Sequence, residues 1–111
     1  MAKEIFILGS ARTAIGTFGG SLASISPIEL AKSVSMAAIQ RSEIASTEIG
    51  QVAFGHVINT EPKDMYLSRV AAIKAGISDN TPAMNVNRLC GSGAQAIISI
   101  FQSLFYFLKF E

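Results

Sequence analysis

Runs of apolar residues separated by polar turns predict three short strands along the chain. They cover residues 4–9 (EIFILG), 51–59 (QVAFGHVIN) and 82–87 (PAMNVN), and the first of them is expected to be buried. Gly55, inside the second run, indicates a bulge or a close approach of another backbone. A stretch with helical character follows each strand. The resulting order, β-α-β-α-β-α, predicts an α/β fold with a mostly parallel sheet and helices packed on its faces.

The first helix follows a loop and has a strong start signal. Residues 10–26 are rich in Gly, Ser, Thr and Ala, which predicts a loop with several turns. Ser26 can cap a helix, Pro27 suits the first helical position, and Glu29 stands three residues after the cap. Apolar residues then recur at helical spacing, so we expect a helix over residues 27–42.

The second and third helices are predicted from weaker signals. Asp64 can cap a helix over residues 65–76, and Gly76 is expected to end it. A tight turn over residues 88–93 (RLCGSG) then leads into a third helix from about Ser92 onward. That helix is apolar on nearly every face, which is typical of a helix buried inside a protein.

The composition limits the kinds of partner this chain can have. Half of its 111 residues are apolar and only 15% are charged, so more apolar sequence is present than a small domain needs for its own core. The surplus indicates a surface meant for a partner subunit or for further chain. Nine basic and eight acidic residues are scattered without a basic run, which predicts no nucleic-acid partner and no anionic membrane surface.

One cysteine and one histidine exclude an internal disulfide and most metal sites within the chain. The lone thiol suits a reducing compartment, and the first residues show no signal or transit peptide, so we predict a cytoplasmic protein. Residues 96–108 (AIISIFQSLFYFL) form an apolar run. Because a span needs about 20 apolar residues, this run is too short to favour a membrane anchor.

Cys90 stands between a predicted strand and a predicted helix, with glycine at positions 91 and 93. The N-terminus of a helix offers unpaired N–H groups and a positive dipole end, which favour thiolate and can hold an oxyanion. Glycines let the backbone turn sharply and let a substrate approach. We therefore predict that Cys90 is the nucleophile of an acyl transfer and that Gly91, Ser92 and Gly93 support its turn. Burial as a small apolar side chain, the commonest fate of a free cysteine, remains the alternative.

Three other motifs match less well. Residues 91–96 (GSGAQA) fit the dinucleotide fingerprint, with Glu111 at a suitable distance, but that fingerprint belongs to the first βαβ unit and here it would come third. Residues 9–16 begin and end with glycine, as a P-loop does before its lysine, but Thr17 stands where the lysine should be. The residues from Cys90 onward begin like the papain signature, but Gly93 replaces its second cysteine.

Four segments together resemble the thiolases, the family that includes acetyl-CoA acetyltransferase and 3-ketoacyl-CoA thiolase. They are residues 11–20 (ARTAIGTFGG), 54–58 (FGHVI), 64–71 (DMYLSRVA) and 85–97 (NVNRLCGSGAQAI). The last of these resembles the segment that carries the family's nucleophile. Several long segments in one order are far more specific than any single short pattern.

The resemblance implies a layered fold of two similar α/β halves, in which the helix after the nucleophile belongs to a central helical layer. It implies a reaction in which two acyl-CoA molecules are joined, or a 3-ketoacyl-CoA is split by CoA, as in fatty acid metabolism. Cys90 would carry the acyl group as a thioester, and its backbone N–H would help to form the oxyanion hole. Coenzyme A thioesters would be the substrates, with no further cofactor, and the complete enzyme would be a homodimer or homotetramer.

The resemblance also implies that parts of the machinery lie elsewhere. The catalytic base, a second cysteine, further oxyanion donors and most CoA-binding loops lie beyond residue 111 in the family, so the chain alone is expected to be inactive. His56 falls in a strand near the front of the family pattern and is expected to be structural.

We expect residues 1–98 to form part of a thiolase N-terminal domain. Residues 99–111 (SIFQSLFYFLKFE) depart from the family and are expected to form an aberrant apolar tail that continues the last helix. The alternative function is that of a non-catalytic fragment, which acts only through its exposed apolar helix in subunit association or aggregation.

Overall fold

The computed structural model of the chain describes residues 4–107. Its helices and strands, in chain order, are α1 (Pro27–Ser42), β1 (Val52–Gly55), α2 (Leu67–Lys74), β2 (Ala83–Val86) and α3 (Ser92–Phe107). The strands β1 and β2 pair in parallel, with Val52 opposite Ala83 and Gly55 opposite Val86. The α/β class, the parallel pairing and the order of these five elements are therefore as predicted. Both strands are shorter than their apolar runs.

The first predicted strand is wrong, because residues 4–9 form neither a strand nor a buried segment. Phe6, Ile7 and Leu8 are all exposed, and β1 and β2 are the only strands within residues 4–107. An open apolar cleft of about 780 Å³ is lined by Ile5, Phe6 and Ile7 of this segment together with Phe54 and Phe101. An apolar run becomes a strand only when a ladder partner satisfies its backbone groups, and here it has none.

The bounds of α1 agree with the predicted range, and its start agrees with the sequence signals. The hydroxyl of Ser26 accepts a hydrogen bond from the N–H of Glu29 at 3.2 Å, and Pro27 is the first helical residue. The carboxylate of Glu29 pairs with the ammonium of Lys74 on α2 and, at 3.5 Å, with that of Lys32. The hydrogen bond from Lys74 lowers the pKa of Glu29 below its ordinary value of 4.5. Glu29 therefore links α1 to α2, in addition to its position three residues after the Ser26 cap.

The core of the chain lies between α1 and α2. Its buried cluster consists of the large side chains of Ile28 and Leu67 and the small ones of Ala31 and Ala71. Two partly buried residues, Phe54 and Val70, pack against this cluster. Alanines at the contact let the two helix backbones approach closely. Phe54 belongs to β1, so the same cluster joins the helix pair to the sheet.

Asp64 does not cap α2, contrary to prediction. It lies in a short 3₁₀ helix, Pro62–Tyr66. Its carboxylate is fully buried and binds the residues that precede this helix. Its Oδ2 accepts hydrogen bonds from the Thr60 N–H at 2.6 Å, the Thr60 hydroxyl at 2.8 Å and the Glu61 N–H at 3.2 Å. Within residues 4–107, its Oδ1 is buried without a hydrogen-bond partner. The carboxylate therefore fixes the turn before α2 rather than the first turn of α2.

The first turn of α2 is held by a side chain from β2. The Asn85 Oδ1 accepts from the Ser68 N–H at 2.9 Å, while its Nδ2 donates to the carbonyls of Asp64 at 3.2 Å and Met65 at 3.1 Å. This cap comes from 17 residues away in the sequence. The end of α2 depends on a nearby residue, as predicted: Gly76, just after the helix, has a φ of 85°, in the left-handed region.

The helix α3 is exposed over much of its surface, so the prediction of a buried helix is wrong for this chain. Only Ser92 and Ala96 of α3 are buried, and its aromatic residues are exposed, with the Phe101 and Phe105 rings stacked at 6.1 Å. No helix in the described part of the chain is long and apolar enough to cross a membrane. α3 continues without interruption past residue 98 as far as Phe107, while residues 1–3 and 108–111, including Glu111, lie outside the described residues.

Gly55 is the point at which the sheet meets α3. A Cβ at this position would lie 2.6 Å from the backbone nitrogen of Gly93 and 2.6 Å from the carbonyl carbon of Ser92. Only glycine permits contact this close between two backbones. The close approach predicted from the sequence is therefore confirmed, and it fixes the start of α3 against the end of β1.

We expect the Gly55→Ala substitution to lower the free energy of unfolding by about 1–3 kcal/mol, because the added methyl group overlaps backbone that cannot rotate away. Urea unfolding followed by circular dichroism measures the change. Gly50→Ala is the matched control, since a Cβ at Gly50 has no atom within 4 Å. Equal losses in the two variants would contradict the close approach.

A second prediction concerns Asp64 and acid. The hydrogen bond from the Thr60 N–H lowers the pKa of this carboxyl below its ordinary value of 3.8, although burial opposes the shift. The stability that the carboxylate contributes is therefore complete above the unfolded-state pKa and is lost as the pH falls through the lower folded-state pKa.

The difference in unfolding free energy between the wild-type chain and Asp64→Asn should be greatest near neutral pH and should shrink below about pH 4. Urea titrations at a series of pH values measure this difference. A difference that stays constant across the series would contradict the role of the charged form.

Candidate active site

The turn between β2 and α3 has an unusual backbone conformation at Leu89. Its φ is 47°, in the left-handed region that favours glycine, although its side chain is 69% exposed. Hydrogen bonds surround this residue: its N–H donates to the Asn87 Oδ1 at 3.1 Å, and its carbonyl accepts from the Ser92 N–H at 3.1 Å. The N–H of Gly91 also donates to the Arg88 carbonyl at 3.0 Å. The tight turn predicted from the sequence is therefore present.

Ser92 joins the two sides of this turn. Its side chain belongs to the first residue of α3 and is 4% exposed. Its Oγ accepts from the Arg88 N–H at 2.8 Å and donates to the Leu89 carbonyl at 2.6 Å. One buried hydroxyl thus accepts from the Arg88 N–H and gives the Leu89 carbonyl a second donor beside the Ser92 N–H.

The neighbouring glycines contribute less to the turn than Ser92 does. A Cβ at Gly91 would make an ordinary contact with the Arg88 carbonyl oxygen at 3.5 Å, and a Cβ at Gly93 would have no atom within 4 Å. The position that sterically requires glycine is Gly55, in β1, which contacts the backbone of Gly93. Supporting roles for Gly91 and Gly93 stay predictions.

Cys90 presents a free and exposed thiol. It stands two residues before the first residue of α3 and therefore beside the helix N-terminus, where backbone N–H groups have no intrahelical acceptor. The alternative in which Cys90 is a buried apolar side chain does not hold. The arrangement gives the thiol access to solvent and places it in the positive field of a helix start.

A cation adjoins the same turn. The Arg88 Nη1 donates to the Gln95 Oε1 at 2.8 Å, across the first turn of α3, and the Gln95 Nε2 donates to the Ser99 Oγ at 3.3 Å. These hydrogen bonds hold the guanidinium beside Gly91, where an added Cβ would lie 3.6 Å from the Arg88 Nε. The sequence motif gave no indication of this pairing, although a spacing of seven residues places Arg88 and Gln95 on one side of a turn and helix.

His56 lies at the same edge of the sheet but is engaged elsewhere. The backbone N–H of His56 donates to the Val86 carbonyl at 2.9 Å, which extends the parallel ladder by one hydrogen bond. The Nε2 of its ring is hydrogen bonded to the Asn59 Oδ1 at 2.9 Å. The structural role expected for His56 stays a prediction. In the described part of the chain, no group of three or more His, Cys, Asp or Glu side chains could hold a metal ion.

A family model and individual relatives all match this chain to the same family of proteins. The model of the thiolase N-terminal domain matches residues 5–106. The chain is 51% identical over 104 residues to the beta-ketothiolase BktB of Cupriavidus necator, covering 94% of this chain and 26% of that protein. It is 41% identical over 95 residues to an acetyl-CoA acetyltransferase of the same organism, covering 86% of this chain and 24% of that protein.

A solved structure agrees with the sequence matches. The crystal structure of human mitochondrial 3-ketoacyl-CoA thiolase in complex with CoA superposes with a TM-score of 0.87 at 31% identity, over 89% of this chain and 25% of that chain. The chain thus spans about a quarter of the length of these relatives. The family model extends to residue 106, and the departure from the family expected after residue 98 stays a prediction.

The geometry of the turn predicts different effects of alanine substitution at Cys90 and at Ser92. Cys90→Ala should change the free energy of unfolding by no more than about 0.5 kcal/mol, because the thiol is exposed. Ser92→Ala should lower it by about 1–3 kcal/mol, because the Arg88 N–H loses its acceptor and the Leu89 carbonyl loses one of its two donors. Urea unfolding of both variants measures this contrast, and a large loss at Cys90 with none at Ser92 would contradict it.

Proposed function

The chain belongs to the thiolase family, and from this premise we propose that it supplies the nucleophile of a thiolase-type acyltransferase. The reaction forms or cleaves 3-ketoacyl-CoA of the acetoacetyl-CoA class through an acyl thioester on Cys90. The observation that carries the proposal is the exposed Cys90 thiol at the start of α3, within a segment that matches the family.

The chemistry follows from the placement of the thiol. The Cys90 Sγ, as thiolate, attacks the carbonyl carbon of an acyl-CoA; a carbon–sulfur bond forms, and the CoA thiolate leaves as the oxyanion collapses. The N–H of Cys90 helps to hold that oxyanion, and the positive end of α3 favours the charged thiolate. The resemblance assigns the base, the second cysteine and most of the CoA-binding residues to the part of the family beyond residue 111.

The substrate class is supported by the relatives rather than by a site in this chain. One structural neighbour is a 3-ketoacyl-CoA thiolase in complex with CoA, and the sequence relatives include an acetyl-CoA acetyltransferase. We therefore propose acyl-CoA substrates, no further cofactor, a homodimer or homotetramer for the complete enzyme, and a place in fatty acid metabolism. A cytoplasmic location is proposed because the lone thiol suits a reducing compartment.

A second candidate function rests on the exposed face of α3. Ile97, Phe101, Phe105 and Tyr106 are all exposed on this helix, and large apolar surfaces associate with one another or with other chains. In this case the chain acts as a non-catalytic fragment through subunit association or aggregation. Size-exclusion chromatography over a range of concentrations distinguishes this candidate, because it predicts assemblies that grow with concentration and form equally well with Cys90→Ala.

A chimeric enzyme tests the catalytic proposal. Residues 1–98 of this chain would replace the matching part of the beta-ketothiolase BktB, which is 51% identical to it. We expect the chimera to cleave acetoacetyl-CoA with CoA, measured by the loss of enolate absorbance. The isolated chain should show no turnover, since it lacks the assigned base and second cysteine.

Two controls make the result decisive. Cys90→Ala in the chimera should lower kcat at least about a thousandfold, as expected for removal of a nucleophile. A second chimera with its junction after residue 106 should be less active, because residues 99–106 are expected to depart from the family. A folded first chimera without activity, or activity that survives Cys90→Ala, would contradict the proposed function.

A further inference from the structure

We propose that Ser92 is a positioning residue that aims the backbone N–H of Cys90 at the acyl oxygen of the substrate. The inference rests on the proposed function, because that N–H belongs to the assigned oxyanion hole. Ser92 does not touch the reacting atoms. It acts through the peptide group between Leu89 and Cys90.

The first observation is the conformation of Leu89. A leucine is disfavoured at a φ of 47° and persists there only when its surroundings impose it. Packing does not impose it, since the Leu89 side chain is 69% exposed. The constraint must therefore come from hydrogen bonds of the backbone around Leu89.

The second observation is that the Ser92 hydroxyl acts on both sides of Leu89. It accepts from the N–H of Arg88, the preceding residue, at 2.8 Å, and donates to the carbonyl of Leu89 itself at 2.6 Å. Ser92 is 4% exposed and stands where Gly55 meets the start of α3. The backbone of Ser92 is therefore packed against the sheet at Gly55, and its hydroxyl links that fixed point to the turn.

The consequence follows from peptide geometry. All peptide bonds in the described chain are trans, so the carbonyl of Leu89 and the N–H of Cys90 point in opposite directions within one planar group. Ser92 holds the carbonyl end of this group with its hydroxyl and its own N–H. The N–H of Cys90 is thereby directed away from the buried hydroxyl, and its orientation is set before any substrate binds.

Two chemical probes separate this role from simple structural support. p-Nitrophenyl acetate reacts with the Cys90 Sγ through an oxyanion, forms the acetyl thioester and releases p-nitrophenolate. Iodoacetamide alkylates the same sulfur by displacing iodide, without an oxyanion. Only the first reaction needs the aimed N–H. Both rates are measured on the full chain by peptide mass spectrometry, with Cys90→Ala as the background.

We expect Ser92→Ala to slow acetylation of Cys90 at least about tenfold, as for loss of an oxyanion donor, while alkylation changes less than about threefold. Ser92→Thr, which keeps the hydroxyl, should retain most of the acetylation rate. Leu89→Gly combined with Ser92→Ala should recover part of it, because glycine adopts the left-handed conformation without help. Ser68→Ala, which removes a similarly buried hydroxyl from α2, should leave both rates unchanged.

The outcomes distinguish this inference from the function on which it rests. If the folded wild-type chain is acetylated no faster than the chain unfolded in urea, the proposed function fails and the inference fails with it. If the folded chain is acetylated faster but Ser92→Ala matches it, only the inference is overturned. An equal fall of both probe reactions in Ser92→Ala, or a Ser92→Thr variant as slow as Ser92→Ala, also overturns it.

Discussion

The contact on which the rest of the site depends is the backbone-to-backbone approach at Gly55. At this point the end of β1 meets the first turn of α3 so closely that no Cβ fits between them. The helix start is thus fixed against the sheet, and Ser92, its first residue, is buried there. From Ser92 the constraint passes through two short hydrogen bonds to Arg88 and Leu89, and through them to the exposed thiol of Cys90. The absence of a side chain at Gly55 therefore governs where the Cys90 thiol lies.

The features that were predictable from the sequence are those with local causes. α1 covers the predicted range, and its start is fixed locally because the cap at Ser26 and the proline after it act within one turn. Gly76 was also identified as the end of a helix. Gly55 is the exception, because its partner at Gly93 is distant in the sequence, but a glycine inside a strand has few structural explanations. The thiolase resemblance singled out Cys90 because residues 85–97 form a long motif that resembles the family. The role of that cysteine in catalysis remains a proposal.

The features that could not be predicted depend on partners distant in the sequence. Residues 4–9 have the composition of a buried strand, but composition does not supply a neighbouring ladder. Asp64 has the chemistry of a helix cap, but Asn85, which comes from β2, already holds that helix start. The apolar character of α3 indicates a buried helix, and the described chain has nothing that covers its outer face. The Ser92 contacts around Leu89 escaped the sequence analysis because a serine after a glycine gives no signal of a left-handed neighbour.

The most direct test of this account is the site of acetylation after the folded chain is incubated with acetyl-CoA. Peptide mapping by mass spectrometry would locate the acetyl group, with the urea-unfolded chain as the reference. The account predicts a hydroxylamine-sensitive acetyl group on Cys90 in the folded chain, formed faster than in the unfolded chain. Labelling of Cys90 at the same rate in both states, or acetyl groups found only on lysines, would contradict it.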